Sequence, residues 1–399
     1  MQLSPGAKSI LYGGYRALLR RTARQEAIVW PPIASQAQLD DLIPRLQFHF
    51  PEGWKIVLPV SDPAIEQSTA RPYYLADYSS RCASKFTIVH EKDRSRNAWL
   101  LSLRNRGVLL SKPASEISGG ASAKYLPNVA PLDPSDVEME TFWTAKLHTN
   151  SGRATEPESR ARFLAWRDSL PQKKKAYLLC TGPSLSRFRE FDFSDGHVIG
   201  CNSVVSNDAL MAHSNPVAIV ANDPIFHFGP SIYAEKFRQD LGQASTAYPF
   251  LFLTSNAFNH LIAPHINLRA ERIAAVPLVL DSRGESFAKR WAFPRTSNIL
   301  TSMMIPLGRA IAEELYIIGA DGREPGETYF WKHDAASQLT DKMQAIKDCH
   351  PAFFEKRDYV DYYDRHCEIL KSQIEDVESS GGKVRSLTPS HIPALKARQ

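Results

Sequence analysis

At 399 residues the chain is long enough for two or three domains of ordinary size, and its 43% hydrophobic content supplies a large core. A formal net charge of +5, without a dominant cluster of lysines and arginines, excludes a dedicated nucleic-acid binder. Its five cysteines (Cys82, Cys180, Cys201, Cys349 and Cys367) are far apart, with no Cys-x-x-Cys and no Cys/His metal spacing, so they read as free thiols in a reducing compartment. No apolar run approaches the roughly 18 residues of a membrane span, and the N-terminus lacks a signal-peptide core. The expectation is a cytoplasmic protein, at most peripheral on the inner face of a membrane.

Residues 1–34 form a basic segment, in which Lys8, Arg16, Arg20, Arg21 and Arg24 alternate with Ile10, Leu11, Tyr12, Tyr15, Leu18 and Leu19. Two readings stand: residues 1–24 lie on an anionic membrane surface, or they form a solvated helix packed on the next domain. Residues 35–135 read as a small α/β domain. It has a helix over 35–46, strands at 54–60 and 86–90, a helix near 97–104 and a strand at 107–110. No motif of chemistry stands out there. Residues 136–172 read as a charged helical linker ending at Pro171.

The last region, 173–399, opens on the stretch around which the chain is organised, Ala176-Tyr177-Leu178-Leu179-Cys180-Thr181-Gly182-Pro183-Ser184-Leu185. A short apolar strand breaks at a Gly-Pro turn, and Ser184 stands where a helix N-cap belongs. Outward-pointing backbone N–H groups at such a junction predict a phosphate site, although any βα junction has the same shape. Apolar runs follow at 198–200, 217–220, 250–253, 273–280, 315–318 and 384–387. Strands apolar throughout are buried on both faces, which predicts a doubly wound, mostly parallel, Rossmann-like α/β sheet with its ligand crevice at the strands' carboxyl ends. Those ends carry Thr181, Gly182, Pro183 and Ser184, then Asn202, then Asn222 and Asp223, then Ser255, then Asp321 and Arg323. Each alone is turn chemistry; together they suit a sugar and a nucleotide. Gly-x-Gly-x-x-Gly, a Walker lysine, Asp-x-Asp and Gly-x-Ser-x-Gly are all absent.

The order Thr181-Gly182-Pro183-Ser184-Leu185, Cys201-Asn202, Asn222-Asp223-Pro224, Arg295-Thr296-Ser297, Leu315-Tyr316-Ile317-Ile318-Gly319-Ala320-Asp321 and Tyr329 resembles the bacterial CMP-sialic acid-dependent sialyltransferases of lipooligosaccharide synthesis. The likeness runs over about residues 173–390. Its Gly-Pro-Ser-Leu turn is shared with a wider group that includes flagellin-modification proteins and an archaeal-type pterin pyrophosphokinase. The resemblance implies an inverting glycosyltransferase that needs no metal and no cofactor beyond its CMP-sugar donor. Its acceptor would be a surface glycan or glycolipid of the lipopolysaccharide or capsule kind. It also implies that Gly182, Pro183, Ser184, Asn202, Asn222 or Asp223, and Ser297 line the donor site and that Tyr329 stabilises the leaving phosphate; Thr181, Ser255 and Asp321 are added to the donor site as residues of the same strand ends. Thr181 replaces the family's Asn, and Arg323 stands where a first tyrosine would be. A guanidinium balances phosphate by bidentate hydrogen bonds, so that role survives the exchange.

The acceptor hydroxyl needs a base with a pKa near neutrality, which is histidine without tuning. His350, on a Pro-punctuated segment before a predicted helix at about 358–377, fits the family's arrangement. His366, inside that helix, suits a core or surface role, and His333 lies close to Tyr329. Two other functions fit the same residues. One is an ATP/Mg²⁺ phosphotransferase using Asp223 and Asp321 as ion ligands. The other is an inactive partner protein whose crevice only binds a glycan.

Overall fold

The computed structural model describes residues 24–50, 54–65, 74, 86–90, 97–123, 126, 128–132, 156–279, 287–324, 336–337, 339–349, 351–355 and 358–399. They divide into two units: one drawn from 1–149, 228–234 and 344–356, the other from 150–227, 235–343 and 357–399. Both are α/β with parallel sheets.

The first unit contains β1 (Arg24–Trp30), α1 (Gln36–His49), β2 (Lys55–Val60), β3 (Phe86–His90), α2 (Ala98–Arg104), β4 (Asn105–Leu110) and β5 (Val129–Pro131). Its sheet runs β3-β2-β1-β4-β5, with every pair parallel. Along β1, Ala27 and Val29 enter one core with Leu39, Leu42 and Leu46 of α1, while Ile28 and Trp30 enter another with Ala98 and Leu101 of α2. Alternate residues thus feed opposite faces, and both faces are covered. The central strand β1 falls inside the segment that sequence reads as a basic N-terminal extension. Residues 1–23, and with them most of the proposed amphipathic stretch, lie outside the described residues. Helix α1 starts where sequence places it, with the Ser35 hydroxyl accepting from the Gln38 N–H at 3.2 Å.

The second unit contains α3 (Glu156–Ser169), β6 (Lys175–Leu179), a 3₁₀ helix (Pro183–Glu190), β7 (Gly196–Cys201), α4 (Asp208–Ser214), β8 (Ala218–Val220), most of α5 (Ile232–Ala247), β9 (Leu251–Ser255) and β10 (Ile273–Val276). A two-stranded ribbon of β11 (Leu278–Val279) and β12 (Phe293–Pro294) follows. Then come a π-helical turn (Leu300–Met304) continued by α6 (Ile305–Ile311), β13 (Glu314–Ile318), α7 (Tyr359–Ser379) and β14 (Lys383–Ser386). The seven strands order as β10-β9-β8-β7-β6-β13-β14, every pair parallel. Chain order therefore reverses between β6 and β13, and such a switch point is where an open α/β sheet opens a crevice.

Ala176, Leu178, Ile199, Leu251, Leu253, Leu315 and Ile317 pack in one core with Phe163 of α3, Met303, Met304 and Leu370. Helix α3 lies in the stretch that sequence reads as a linker, yet Phe163 is fully buried and the Ser159 hydroxyl accepts from the β10 N–H of Ala275 at 3.2 Å. Residues 136–155 of that linker lie outside the described residues. Among the described residues no helix is long and apolar enough to cross a membrane. Cys180, Cys201, Cys349 and Cys367 carry reduced thiols, and Cys82 lies outside the described residues.

Candidate active site

Strand register sets the rim of the larger sheet. Leu179 pairs with both Gly200 and Ile318, Gly200 with Ile219, and Ile219 with Phe252, so these residues share one level. Gly182, Asn222, Ser255 and Asp321 each stand three residues beyond that level and Asn202 two, all at the carboxyl edge. The apolar strands thus place five of the sequence-selected residues along one border.

At the switch point the turn after β6 meets the loop after β13. The Gly182 N–H donates to the Gly319 carbonyl at 2.8 Å. A Cβ on Gly182 would lie 2.2 Å from Asp321 Oδ2 and 2.5 Å from the Gly319 oxygen, so only glycine fits. Asp321 accepts from the Ser184 N–H (Oδ1 at 3.1 Å, Oδ2 at 3.3 Å), and its Oδ2 also accepts from the Ser184 hydroxyl at 2.9 Å. Thr388 Oγ1 lies 2.8 Å from Ser184 Oγ and accepts from the Gly319 N–H at 3.1 Å. The Ser390 hydroxyl donates to the Ala320 carbonyl at 2.7 Å, and the His391 N–H to the Asp321 carbonyl at 2.6 Å. Burial raises the Asp321 pKa above the ordinary carboxylate value, against the Ser184 hydrogen bonds and the charge of His391.

Two sequence expectations change here. Ser184 is not an N-cap: the 3₁₀ helix is capped by Gly182 with Pro183 at its first position, and Pro183 is exposed. The Ser184 N–H expected to receive a phosphate receives the Asp321 carboxylate, because a side chain from β13 reaches into the helix start.

Asn202 follows β7 with φ 50°, a left-handed conformation uncommon outside glycine and concentrated at functional sites. Asn222, past β8, keeps its side-chain Oδ1 buried with no hydrogen-bond partner. Asp223 is turned inward on its own loop, where its Oδ1 accepts from the N–H groups of Ile225 and Phe226 at 2.8 Å each. Its own N–H donates to His227 Nδ1 at 3.2 Å. Burial depresses the His227 pKa to about 3. Ser255 is buried and caps its loop, accepting from the Ala257 N–H at 3.2 Å. Thr181 is buried beside Cys180, at the end of the strand that neighbours Cys201.

Ser297 comes from outside the sheet. Its side chain is exposed, and its carbonyl accepts from the Tyr362 hydroxyl at the start of α7. The next residue, Tyr363, accepts from the Arg323 N–H at 3.2 Å, and its ring lies 4.9 Å from the Arg323 guanidinium carbon. Consecutive tyrosines therefore tie Ser297 to Arg323. Burial pushes the Tyr363 hydroxyl up to about 12, so it stays protonated. The helix after Ser297 opens as a buried π turn with Asn298 Oδ1 accepting from the Leu300 N–H at 2.9 Å, and such turns recur at functional sites.

Tyr329, His333 and His350 lie outside the described residues. His366 is in the core, with burial lowering its pKa to about 4. Sequence reasoning passed over Thr388, Ser390, His391 and Tyr363. All four reach the switch through contacts spanning 40 or more residues, which no local pattern announces. Among the described residues no three His, Cys, Asp or Glu side chains are grouped to hold a metal ion.

Fold and rim together define an α/β protein with a Rossmann-like unit and a row of small polar residues along the carboxyl edge of its sheet, on either side of the switch point. No protein-family model matches the chain, and no curated protein matches it. Among solved structures it is similar to the sialyltransferase CstII of Campylobacter jejuni in complex with cytidine-5'-monophosphate, at 15% identity and TM-score 0.29, over 57% of this chain and 88% of that one. It is similar also to the monofunctional alpha-2,3-sialyltransferase Cst-I of the same organism, at 17% identity and TM-score 0.32, over 54% of this chain and 76% of that one. A third, CstII with a trisaccharide acceptor and CMP, has 16% identity and TM-score 0.28, over 54% of this chain and 81% of that one. These identities and scores are too low to assign the chain to that family.

Proposed function

We propose that the chain is an inverting glycosyltransferase that moves a sialic acid-like sugar from a CMP donor to a glycan or glycolipid acceptor, without a metal ion. The observation that carries this reading is the pair of asparagines on neighbouring strand ends: Asn202 held at φ 50° and Asn222 with a buried, unpartnered Oδ1. A buried acceptor without a donor costs about 1–3 kcal/mol. It is matched by a ligand N–H, such as the exocyclic amine of cytosine. The ordered strand-end residues in sequence support the same reading.

In the proposed reaction His350 takes the proton of the acceptor hydroxyl as its oxygen bonds to the anomeric carbon. The bond from that carbon to the CMP phosphate oxygen breaks, and the nucleotide leaves with the electron pair. Arg323, tethered through Tyr363, and Tyr329 supply donors where that negative charge develops. Peripheral membrane contact through residues 1–24 would bring a glycolipid acceptor within reach.

Purified protein incubated with CMP-sialic acid is expected to hydrolyse donor slowly and to transfer to an acceptor glycan, with EDTA causing no loss. Calorimetry showing binding of ATP·Mg²⁺ and none of CMP would replace this reading with the phosphotransferase. His350→Ala is expected to abolish transfer while CMP still binds; a variant with unchanged function would point to a non-catalytic glycan binder.

A further inference from the structure

Just behind the polar rim, two cysteines stand side by side. Leu179 of β6 pairs with Gly200 of β7 in parallel register, and the next step along both strands sets Cys180 opposite Cys201. Neighbouring strands lie about 4.8 Å apart, inside the range of about 4.4–6.8 Å that a disulfide spans between its Cα atoms. Both side chains enter one core, shared with Ala176, Leu178, Ile199 and Met304. The Cys201 thiol is in contact with Cys180, and this contact, together with burial, raises the Cys201 pKa above the ordinary thiol value. Cys180 Sγ also lies 3.9 Å from Met304 Sδ.

The two thiols differ in access. Cys180 is 8% exposed and Cys201 is fully buried. Cys180 is therefore the one that an oxidant meets, and Cys201, protonated and enclosed, is the one that follows. The same burial keeps out bulky disulfides and admits only an oxidant of a few atoms.

We infer that Cys180 and Cys201 are a modification site at which hydrogen peroxide forms an intramolecular disulfide across β6 and β7. The Cys180 sulfur attacks one peroxide oxygen, the O–O bond breaks, and the departing hydroxide takes the thiol proton and leaves as water. Cys180 is then a sulfenic acid. The Cys201 sulfur attacks the Cys180 sulfur, the S–O bond breaks, and hydroxide leaves as a second water with the Cys201 proton. The two sulfurs together lose two electrons and the peroxide gains two. No charge is left in the core. The bridge ties the strand ends directly before Thr181 and Asn202, and it stands whether or not a nucleotide binds there.

The test treats the full-length protein with hydrogen peroxide, blocks free thiols with iodoacetamide in denaturant and digests without reduction. Trypsin cuts after Lys175, Arg187, Arg189 and Lys236, so the bridge joins peptide 176–187 to peptide 190–236. The joined species is expected to be two hydrogens lighter than its parts, to grow with peroxide dose in protein of single-chain mass, and to separate with dithiothreitol. In Cys201→Ser the expected product is a Cys180 sulfenic acid trapped by dimedone. Oxygen added to Cys180 or Met304 of the wild type with no joined peptides overturns the inference. So does full alkylation of Cys180 and Cys201 at a dose that oxidises Cys367, which is half-buried. The wild-type peptide map decides the matter even where the variant does not fold.

Discussion

Asp321 Oδ1 lies 3.1 Å from the Ser184 backbone nitrogen, across 137 residues of chain. This contact joins the two strands that flank the switch in the larger sheet, and it explains why Gly182 has no side chain. Gly182→Ala would place a Cβ 2.5 Å from the Gly319 carbonyl oxygen, a backbone atom that cannot swing aside. The expected cost is about 1–3 kcal/mol, read as a lower midpoint in urea unfolding with an unchanged slope.

Ser184→Ala keeps the backbone hydrogen bond to Asp321 and removes the hydroxyl shared between Asp321 and Thr388. A loss of about 1 kcal/mol is expected. A midpoint equal to that of the wild type would show that the hydroxyl network contributes nothing to holding the turn.

Asn202 offers a stability–function trade. At φ 50° an asparagine is strained relative to glycine. Asn202→Gly is therefore expected to raise stability by up to about 1 kcal/mol. The same variant is expected to weaken CMP binding, because the side chain proposed to contact the donor is gone. Higher thermal stability with undiminished affinity would remove Asn202 from the donor site.

His366 makes stability depend on pH. Its folded pKa is depressed to about 4 from 6.5, because the buried ring is not charged readily. Between those values the unfolded chain holds a proton that the folded one does not, so stability is full above the unfolded pKa and falls as pH drops below it. From pH 7 to pH 5 the expected loss from this group is about 2 kcal/mol. His227, depressed to about 3, adds in the same direction. His366→Gln should flatten the profile measured by chemical denaturation across that range.

Phe163 tests where the larger unit begins. It is fully buried against Phe287 and Trp291, with ring centroids 4.9 and 5.4 Å away. Phe163→Ala is expected to cost about 3–5 kcal/mol, far more than a change in a tethering segment would. An effect under about 1 kcal/mol would mean that α3 is peripheral to the core.

Much of the fold was readable along the chain, because strands buried on both faces must be apolar at consecutive positions. The run at 176–179 and the runs ending near Cys201, Val220, Ser255 and Ile318 appear as strands in that order. β1 escaped because Arg24, Gln25 and Glu26 give it a polar start, which blends with the basic residues before it. α3 escaped as a core helix because only Ser159 and Phe163 of its 14 residues are buried, so its composition is that of a solvated helix.

Local chemistry by itself determined which residues stand at the carboxyl ends of the strands: turn-forming Gly, Asn, Asp and Ser follow apolar runs, and a parallel sheet collects them on one edge. What those residues face was decided only by the tertiary structure. Thr388 meets Ser184 over 204 residues, and Tyr363 meets Arg323 over 40. Such pairings depend on strand order and register, which short-range periodicity does not encode. That strand order sets the loop after β13 beside β6, and its Asp321 converts a turn shaped for a phosphate into one already holding a carboxylate.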